Sequence, residues 1–269
     1  MRPYTLHSGN GPLIISIPHA GTHVPPAIAA RFSEHGQSLI DTDWFVEKLY
    51  PFARDLSATV LRATHSRYVI DLNRSPTDDH LYPGQMKTGL CPLQSFYGEP
   101  IYQTGKEPAA PEIATRVQEY WHPYHERLRQ EIGRVKKLHG YAVLFDAHSI
   151  KSVVPLLFEG VLPDLNLGTN RNATCHELIT NAAFHAGERT GYKTVLNARF
   201  LGGYITRQYG APKDHVHALQ MELTWKNYMN ETTLEFDAAK AEKLSAALYQ
   251  VIDSMMQAAQ RLYSDRSLP

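Results

Sequence analysis

The stretch Tyr141-Ala142-Val143-Leu144-Phe145-Asp146-Ala147-His148-Ser149 starts with five apolar or aromatic residues and then turns polar. A continuous apolar run of this kind is typical of a strand that is buried on both faces. The run Leu13-Ile14-Ile15-Ser16-Ile17-Pro18 has the same character and is followed by His19. Because ligands in open α/β sheets bind at the carboxyl ends of the strands, His19 and His148 are predicted to lie at one functional edge.

The rest of the chain alternates predicted strands with predicted helices. Further strands are predicted at 59–63, 68–72, 153–158, 193–197 and 217–223, and helices at 44–53, 108–138, 174–191 and 236–262. Residues 73–105 show no periodicity and are predicted to form an active-site loop, whereas 166–172 are predicted to form a short polar loop. This alternation predicts a three-layer α/β fold, in which a mostly parallel, mixed sheet lies between helices on both faces. No change of composition marks a boundary, so one domain over residues 1–269 is expected.

The composition excludes several classes of function. Lysine plus arginine and aspartate plus glutamate both number 27, so no basic excess is available to bind a nucleic-acid backbone. The longest apolar runs are far shorter than the roughly 18 residues of a membrane span, and the N-terminus has no signal-peptide pattern, so a cytoplasmic protein without membrane contact is expected. Two cysteines, Cys91 and Cys175, are too few for a disulfide framework or a cysteine zinc site. The 14 histidines therefore become the leading candidates for metal ligands.

Two histidines at strand ends, His19 and His148, could form a catalytic zinc site together with an aspartate from a helix N-terminus. Zinc in such sites takes three protein ligands and keeps a further position for water. Asp41 and Asp43 both precede the first predicted helix, where an aspartate is the expected N-cap. Asp146 is predicted to point to the opposite strand face from His148 and to orient a neighbouring group.

Glu222 is predicted to accept a proton in this site. It stands in the apolar stretch Gln220–Trp225, where a buried carboxylate is costly unless it has a function. An ion pair with an arginine or lysine at the end of the sheet is the alternative interpretation.

A second polar cluster in Ser66–Arg74 contains Arg67, Asn73 and Arg74. Arginine binds a carboxylate through two parallel hydrogen bonds, so this cluster is predicted to take part in recognition. For each arginine taken alone, a surface salt bridge is the alternative.

Five short motifs follow one another along the chain, at Ser16–Gly21, Ser66–Arg74, Pro123–His125, Asp146–Ser149 and Gly202–Gly210. In this order they resemble the N-formylglutamate amidohydrolase family, and the resemblance covers most of the chain. It implies a phosphorylase/hydrolase-like fold, similar to those of zinc carboxypeptidases and aspartoacylase-type deacylases. It also implies an enzyme that hydrolyses N-formyl-L-glutamate to formate and L-glutamate, the last step of one route of histidine degradation.

The same resemblance implies one divalent metal, with Zn²⁺ as the expected ion. Zinc carboxypeptidases take two ligands from an H-x-x-E motif, but here Thr22 stands three residues after His19. Asp43 is the predicted ligand beside the two histidines, because the helix predicted after it leaves its carboxylate free at the N-terminus; Asp41 and His23 are the alternatives.

The resemblance also implies roles in catalysis and substrate binding. Glu222 resembles the general base, and Arg67 resembles the arginine that stabilises the oxyanion. Asn73 and Arg74 resemble a pair that holds a substrate carboxylate, and Arg207 is predicted to assist them.

The predicted substrate is a small anionic N-acyl amino acid. One alternative is a zinc deacylase or exopeptidase that acts on another N-acyl amino acid, because the same residues would serve it. The other is a non-catalytic protein on this fold that binds a carboxylate or a metal.

Overall fold

The chain is built around one mixed sheet. A computed structural model describes residues 1–77 and 89–264. The strands are β1 (Tyr4–His7), β2 (Leu13–Ile17), β3 (Thr59–Ala63), β4 (Ala142–Ile150), β5 (Leu165–Gly168), β6 (Thr194–Leu196) and β7 (Val216–Thr224). They lie in the order β1-β3-β2-β4-β7-β5-β6; the β1–β3 and β5–β7 pairs are antiparallel and the other described pairs are parallel. The predicted α/β class with a mostly parallel, mixed sheet is confirmed.

Helices cover both faces of this sheet. They are α1 (Pro26–Ala29), α2 (Glu34–Gln37), α3 (Ala110–Arg116), α4 (His122–His139), α5 (Glu177–Arg189), α6 (Tyr204–Tyr209) and α7 (Ala238–Ser264). Because strand side chains alternate between faces, Leu13 and Ile15 share a core with α5 and α7, whereas Ile14 shares one with α4. The three predicted layers are thereby confirmed. None of the described helices has both the length and the apolar character that a bilayer-spanning segment needs.

The central strands place the polar motifs side by side. All nine residues of β4 and all nine of β7 are buried, as their apolar runs predict. In the parallel register of these two strands, His148 is paired with Glu222. On the other side of β4, β2 ends two residues before His19. The carboxyl ends of the three strands therefore meet at one edge, as predicted.

Two of the predicted strands are wrong. Residues 68–72 and 153–158 form turns and irregular backbone instead. The N–H of Val69 bonds to the carbonyl of Ser66, a local turn bond rather than a sheet bond. Tyr68 and Val69 are nevertheless buried, in a small cluster outside the sheet. An apolar run that is buried under a loop has the same sequence pattern as a strand.

The predicted polar loop at 166–172 begins as strand β5. This strand lies between β7 and β6 in the sheet and runs antiparallel to β7. Asn166 is buried in it, and its side-chain amide donates to the carbonyls of Pro163 at 2.7 Å and Glu222 at 3.1 Å. These hydrogen bonds offset the loss of water, so a polar residue is tolerated in a central strand.

The predicted helix at 44–53 is also wrong. Phe45 adopts a left-handed conformation with φ of 59°, and short 3-10 turns follow at Val46–Leu49 and Pro51–Ala53. Asp43 therefore does not serve as a helix cap. Its N–H donates to the carbonyl of His19 at 3.1 Å, which holds the two residues next to each other.

The predicted helix at 108–138 is present as α3, a π-helix at Val117–Trp121 and α4 in direct succession. Pro111 lies in its first turn, and Gly140 ends it with φ of 78°. Both signals were visible in the sequence. The π-helix, strand β1 and helix α6 had no signal that the sequence interpretation used.

The predicted loop at 73–105 is irregular wherever it is described. Residues 78–88 lie outside the described part of the chain, and 73–77 and 89–105 contain isolated bridges but no helix or strand. Asn73, Arg74 and Phe96 of this loop line the cavity at the strand ends. Their position supports an active-site loop.

Candidate active site

A cavity opens at the carboxyl edge of the sheet, where the polar motifs meet. It is lined by His19, Asp43, Arg67, Asp71, Asn73, Arg74, Phe96, His148, Ser149, Ile150, Leu157, Arg199, Phe200, Gly203, Gln220 and Glu222. Of the predicted site residues, only Arg207 is outside this lining. Its Nε donates to the carbonyl of Gly202 at 2.8 Å. The structure thus brings seven of the eight predicted residues together.

Three buried side chains at the floor of this cavity form a group that could hold a metal ion. One ligand atom from each of His19, Asp43 and His148 lies within 4.8 Å of the others. Asp43 Oδ2 is 3.2 Å from His148 Nδ1 and 3.8 Å from His19 Nδ1. The alternatives lie elsewhere: Asp41 accepts a hydrogen bond from the N–H of Phe96, and the ring of His23 packs against His65.

The donor atoms of this group fit a divalent transition metal. His19 Nδ1 is buried and has no hydrogen-bond partner. A buried polar atom without a partner is costly unless something else binds it. Two imidazole nitrogens and one carboxylate oxygen are a common ligand set for catalytic zinc, which leaves a position open. These observations favour a metal ion bound by His19, Asp43 and His148.

Each histidine of the group is oriented by its own carboxylate. His19 Nε2 lies 2.8 Å from Asp71 Oδ1, and His148 Nε2 lies 3.0 Å from Asp146 Oδ2. A carboxylate that accepts from Nε2–H leaves the lone pair on Nδ1, the atom that faces Asp43. In proteins, histidines that bind metals are held in this way.

Asp146 orients His148 itself, which corrects the predicted geometry. Residues two apart on a strand point to the same face, so Asp146 and His148 lie together rather than on opposite sides. Asp146 also accepts hydrogen bonds from Ser16 Oγ at 3.0 Å and Thr206 Oγ1 at 3.5 Å. The predicted orienting role agrees with these contacts.

Together, burial and neighbouring charges lower the pKa of His19 but raise that of His148. Burial lowers the pKa of His19, and the Arg67 cation lowers it further, although Asp71 opposes both. Burial also acts to lower the pKa of His148, but the carboxylates of Asp146 and Asp43 raise it well above its usual value. The site therefore has a strong negative potential around His148, which favours a bound cation.

Asp71 and Arg67 form a buried ion pair beside His19. Arg67 Nη2 donates to Asp71 Oδ2 at 2.6 Å, and its guanidinium lies over the ring of Phe96 at 4.6 Å. Burial opposes ionisation of Asp71, but Arg67 and then His19 lower its pKa well below the usual range. The sequence interpretation overlooked this role of Asp71, although its position inside the Ser66–Arg74 motif was the available signal.

Glu222 is a buried carboxyl group on the same edge. Burial raises its pKa to about 8; His148 lowers the pKa and Asp43 raises it. Its Oε2 accepts from the Gln220 side chain at 3.1 Å. A carboxyl group whose pKa is close to the working pH is suited to accept and return a proton.

Asn73 connects the irregular loop to the metal site. Its Oδ1 accepts from the N–H of Ile205 at 2.8 Å, and its Nδ2 lies beside His148 Nε2, whose hydrogen is directed at Asp146. A Cβ atom at Gly203 would stand only 2.3 Å from Asn73 Nδ2. This close approach explains why the Gly202–Gly203 motif needs glycine at its second position.

His125 holds the backbone of this loop from below. Its Nε2–H donates to the carbonyl of Leu72 at 2.8 Å, so Nδ1 accepts from Tyr209 Oη at 2.9 Å. Its ring stacks on Trp121 at 3.7 Å, and Trp121 Nε1 donates to the carbonyl of Arg74 at 3.0 Å. Burial lowers the pKa of His125 to about 3, so the ring is neutral.

Residues 11–229 match the family model of N-formylglutamate amidohydrolase. The chain belongs to the N-formylglutamate amidohydrolase family. The resemblance predicted from the five motifs is thereby confirmed. The chain is 44% identical over 254 residues to the N-formylglutamate deformylase of Pseudomonas putida, an alignment that covers 94% of this chain and 95% of the relative. It is 46% identical over 252 residues to the N-formylglutamate deformylase of Pseudomonas aeruginosa PAO1, with 92% and 94% covered.

Solved structures agree with the fold of this N-formylglutamate amidohydrolase family member. The crystal structure of N-formylglutamate amidohydrolase from Ralstonia eutropha JMP134 superposes with a TM-score of 0.81 at 23% identity and covers all of both chains. The gene product Atu2144 of Agrobacterium tumefaciens superposes with a TM-score of 0.70 at 17% identity, with 98% and 97% covered. At these identities the likeness concerns the fold alone.

Proposed function

We propose that this chain is an N-formylglutamate deformylase, which hydrolyses N-formyl-L-glutamate to formate and L-glutamate. The supporting observation is the buried group of His19, Asp43 and His148 with Glu222 beside it, in a cavity that also carries arginines. The near full-length similarity to two deformylases of Pseudomonas supports the same substrate.

We further propose that the metal is one Zn²⁺ ion held by His19, Asp43 and His148. A bound zinc ion supplies Lewis acidity to carbonyl and water oxygens. Asp71 and Asp146 keep the two imidazoles in the tautomer and orientation that ligation requires.

The proton transfers of the reaction are assigned to Glu222. In this proposal its carboxylate accepts a proton from the attacking water and returns it to the leaving amide nitrogen. Its burial and its pKa of about 8 suit this double role. Arg67 lies on the same lining and would stabilise negative charge on the formyl oxygen.

Substrate binding is assigned to Asn73 and Arg74, which line the cavity. The Asn73 side chain is fixed by Ile205, and the Arg74 carbonyl by Trp121. Arg207 was predicted to assist them, but it contacts the carbonyl of Gly202 outside the lining. We assign it to support of that turn instead.

The direct test compares formate release from N-formyl-L-glutamate with hydrolysis of N-acetyl-L-aspartate and of short peptides. The proposal predicts the highest kcat/KM for N-formyl-L-glutamate. A higher kcat/KM for another N-acyl amino acid would favour the deacylase alternative, and no turnover of any of them would favour a binding protein.

We also propose that residues 1–269 form one catalytic domain and that the protein acts in the cytoplasm, in histidine degradation. One sheet that includes strands from residue 4 to residue 224 supports a single domain. Cys91 and Cys175 are both buried free thiols, which is typical of a reducing compartment. The pathway proposal rests on the family resemblance.

A further inference from the structure

Three arginines lie on the lining of the cavity: Arg67, Arg74 and Arg199. The sequence interpretation did not single out Arg199, because it lies outside the motifs and no periodic pattern includes it. N-formyl-L-glutamate carries two carboxylates, and the floor of the cavity already holds the carboxyl groups of Asp43, Asp71 and Glu222. A dianionic substrate therefore needs cations of its own.

Arg67 is committed to the floor of the cavity. It donates to Asp71 at 2.6 Å, and the carboxylates of Asp71, Asp43 and Asp41 stabilise its charge. Its positive charge thus balances the acidic groups around the metal site. The described lining also carries the guanidinium groups of Arg74 and Arg199.

The two arginines have different neighbours in the cavity. Arg74 is next in sequence to Asn73, and its charge acts on Asp71 at the metal end. Arg199 lies at the apolar side: its Nε donates to the carbonyl of Leu157 at 2.6 Å, and its guanidinium lies 5.4 Å from the ring centre of Phe200. Leu157 and Phe200 both line the cavity.

The backbone that carries Arg199 is held in place on both sides. Asn197 Oδ1 accepts from the N–H of Thr169 at 2.8 Å, and the carbonyl of Leu201 accepts from the N–H of Asn170 at 2.6 Å. With Nε also bonded to Leu157, the plane of the guanidinium is fixed. An arginine oriented in this way can bind a carboxylate through its terminal nitrogens at a low entropic cost.

The positions of the two carboxylates in N-formyl-L-glutamate match the different surroundings of Arg74 and Arg199. The α-carboxylate of an N-acyl amino acid is attached to the carbon that bears the scissile amide nitrogen, so it lies near the metal end. In glutamate the second carboxylate follows two further methylene groups, which suit the apolar side chains of Phe96, Ile150, Leu157 and Phe200. Arg74 is thus placed for the first carboxylate and Arg199 for the second.

We propose that Arg199 binds the side-chain carboxylate of the substrate and makes the enzyme select acidic over neutral N-formyl amino acids. This inference rests on the proposed deformylase function and adds the residue that determines its specificity. An arginine in a partly apolar setting loses a charged hydrogen bond when the carboxylate becomes an amide. Such a bond is worth about 10- to 150-fold in kcat/KM.

The test measures kcat/KM for N-formyl-L-glutamate and N-formyl-L-glutamine, which differ in charge but hardly in size. The wild type is expected to prefer the glutamate compound by about 10- to 150-fold. Arg199→Gln is expected to abolish most of this preference and to leave kcat/KM for the glutamine compound within about threefold. Arg199→Lys, which keeps the charge, is expected to retain part of the preference.

Two further variants make the result specific to Arg199. Arg74→Gln is expected to lower kcat/KM for both substrates alike, because both carry the α-carboxylate. Arg129→Gln alters an exposed arginine of α4 and should change neither value. Thermal melting of each variant checks that it is folded.

The proposal is overturned if folded Arg199→Gln keeps the preference for glutamate, or if Arg199→Gln and Arg199→Lys both lose activity equally on both substrates. Loss of the preference in Arg207→Gln but not in Arg199→Gln would also overturn it, in favour of Arg207. If the wild type hydrolyses neither compound, the proposed function itself fails and this inference fails with it.

Discussion

Glu222 is the single side chain on which the proposed chemistry depends most. The residue is 7% exposed, and its backbone is paired with His148 across two central strands. Nothing about its hydrogen bonds requires a charge, since its one described partner is the neutral Gln220 side chain. A buried carboxyl group without an ion-pair partner is costly, and catalysis provides a reason to keep it.

Glu222→Gln is expected to lower kcat by about 10²- to 10⁴-fold, the usual contribution of a general base. The variant should keep its metal, because Glu222 is not among the proposed ligands. Formate release and elemental analysis of the same preparation measure the two effects. Glu126→Gln, at an exposed position of α4, is the matched control. Unchanged turnover in Glu222→Gln would remove it from the mechanism, and loss of the metal would make it a ligand.

Asp146 is expected to act on the metal through His148. Asp146→Asn keeps the shape of the side chain but removes the charge that faces His148 Nε2. Metal affinity, measured by competition with a chromophoric chelator, is expected to fall by about 10- to 100-fold.

The control for Asp146 is Ser16→Ala, which removes one hydrogen bond to the same carboxylate but keeps its charge. It should weaken metal binding less than Asp146→Asn does. Equal affinities for the wild type and Asp146→Asn would show that this carboxylate does not support the metal site.

The helical stretch of α3, the π-helix and α4 supports the irregular loop that begins at Asn73. His125 and Trp121 hold the carbonyls of Leu72 and Arg74, on either side of Asn73. A π-helix displaces the side chains that follow it relative to a regular helix, and such turns are frequent at functional sites. Trp121 of the Val117–Trp121 π-helix therefore supports the backbone of this loop, although the described lining of the cavity contains no residue of the π-helix.

His125 of this helical stretch makes the stability of the protein depend on pH. The pKa of His125 is lowered to about 3 by burial, whereas an unfolded histidine titrates near 6.5. The unfolded chain therefore binds a proton first, and the stabilisation that is present above pH 6.5 is lost as the pH falls towards 3. The loss is about 1.4 kcal/mol per pH unit in this window.

The measurement is urea unfolding at pH 7 and pH 5, with a chelator present throughout. The free energy of unfolding of the wild type is expected to fall by about 2 kcal/mol more than that of His125→Asn. The comparison removes the contribution of other histidines, such as His65, whose pKa is lowered to about 4. Equal losses in both proteins would mean that His125 is not buried as a neutral ring.

Strands β2, β4 and β7 could be predicted from their apolar runs, whereas β5 could not. The runs that form β2, β4 and β7 are buried throughout, so their composition reports their position. Asn166 in β5 is polar because its amide finds backbone partners in the fold. Glu222 is distant in sequence from Asn166, so no local pattern can reveal this partner.

Across the whole molecule, the site residues come from segments far apart in the chain. His19, Asp43 and His148 are brought together by the β2–β4 pairing and by the backbone bond between Asp43 and His19. The two histidines could be predicted as site residues because each stands at the carboxyl end of an apolar run. Asp43 lies beside the two histidines, as expected, but the reason for the expectation was wrong, because the expected helix is absent from 44–53. Arg199 could not be predicted, because only the folded chain places it on the lining of the cavity.

The charge of the molecule is balanced overall and unequal locally. Arginines and lysines number as many as the acidic residues, yet the carboxylates of Asp43, Asp71 and Asp146 all lie around His19 and His148. This local excess of negative charge favours a bound cation. The buried His19 Nδ1, which has no hydrogen-bond partner, offers a lone pair that could bind it. A bound metal would therefore be stabilised by the site as a whole and not by one residue.

The most direct test is elemental analysis combined with formate release, on protein purified without added metal. We expect one divalent ion per chain, predominantly zinc, and loss of activity on chelation that the added ion restores. The His148→Ala variant should contain no stoichiometric metal and show no activity. A fully active preparation that contains no metal would contradict the account.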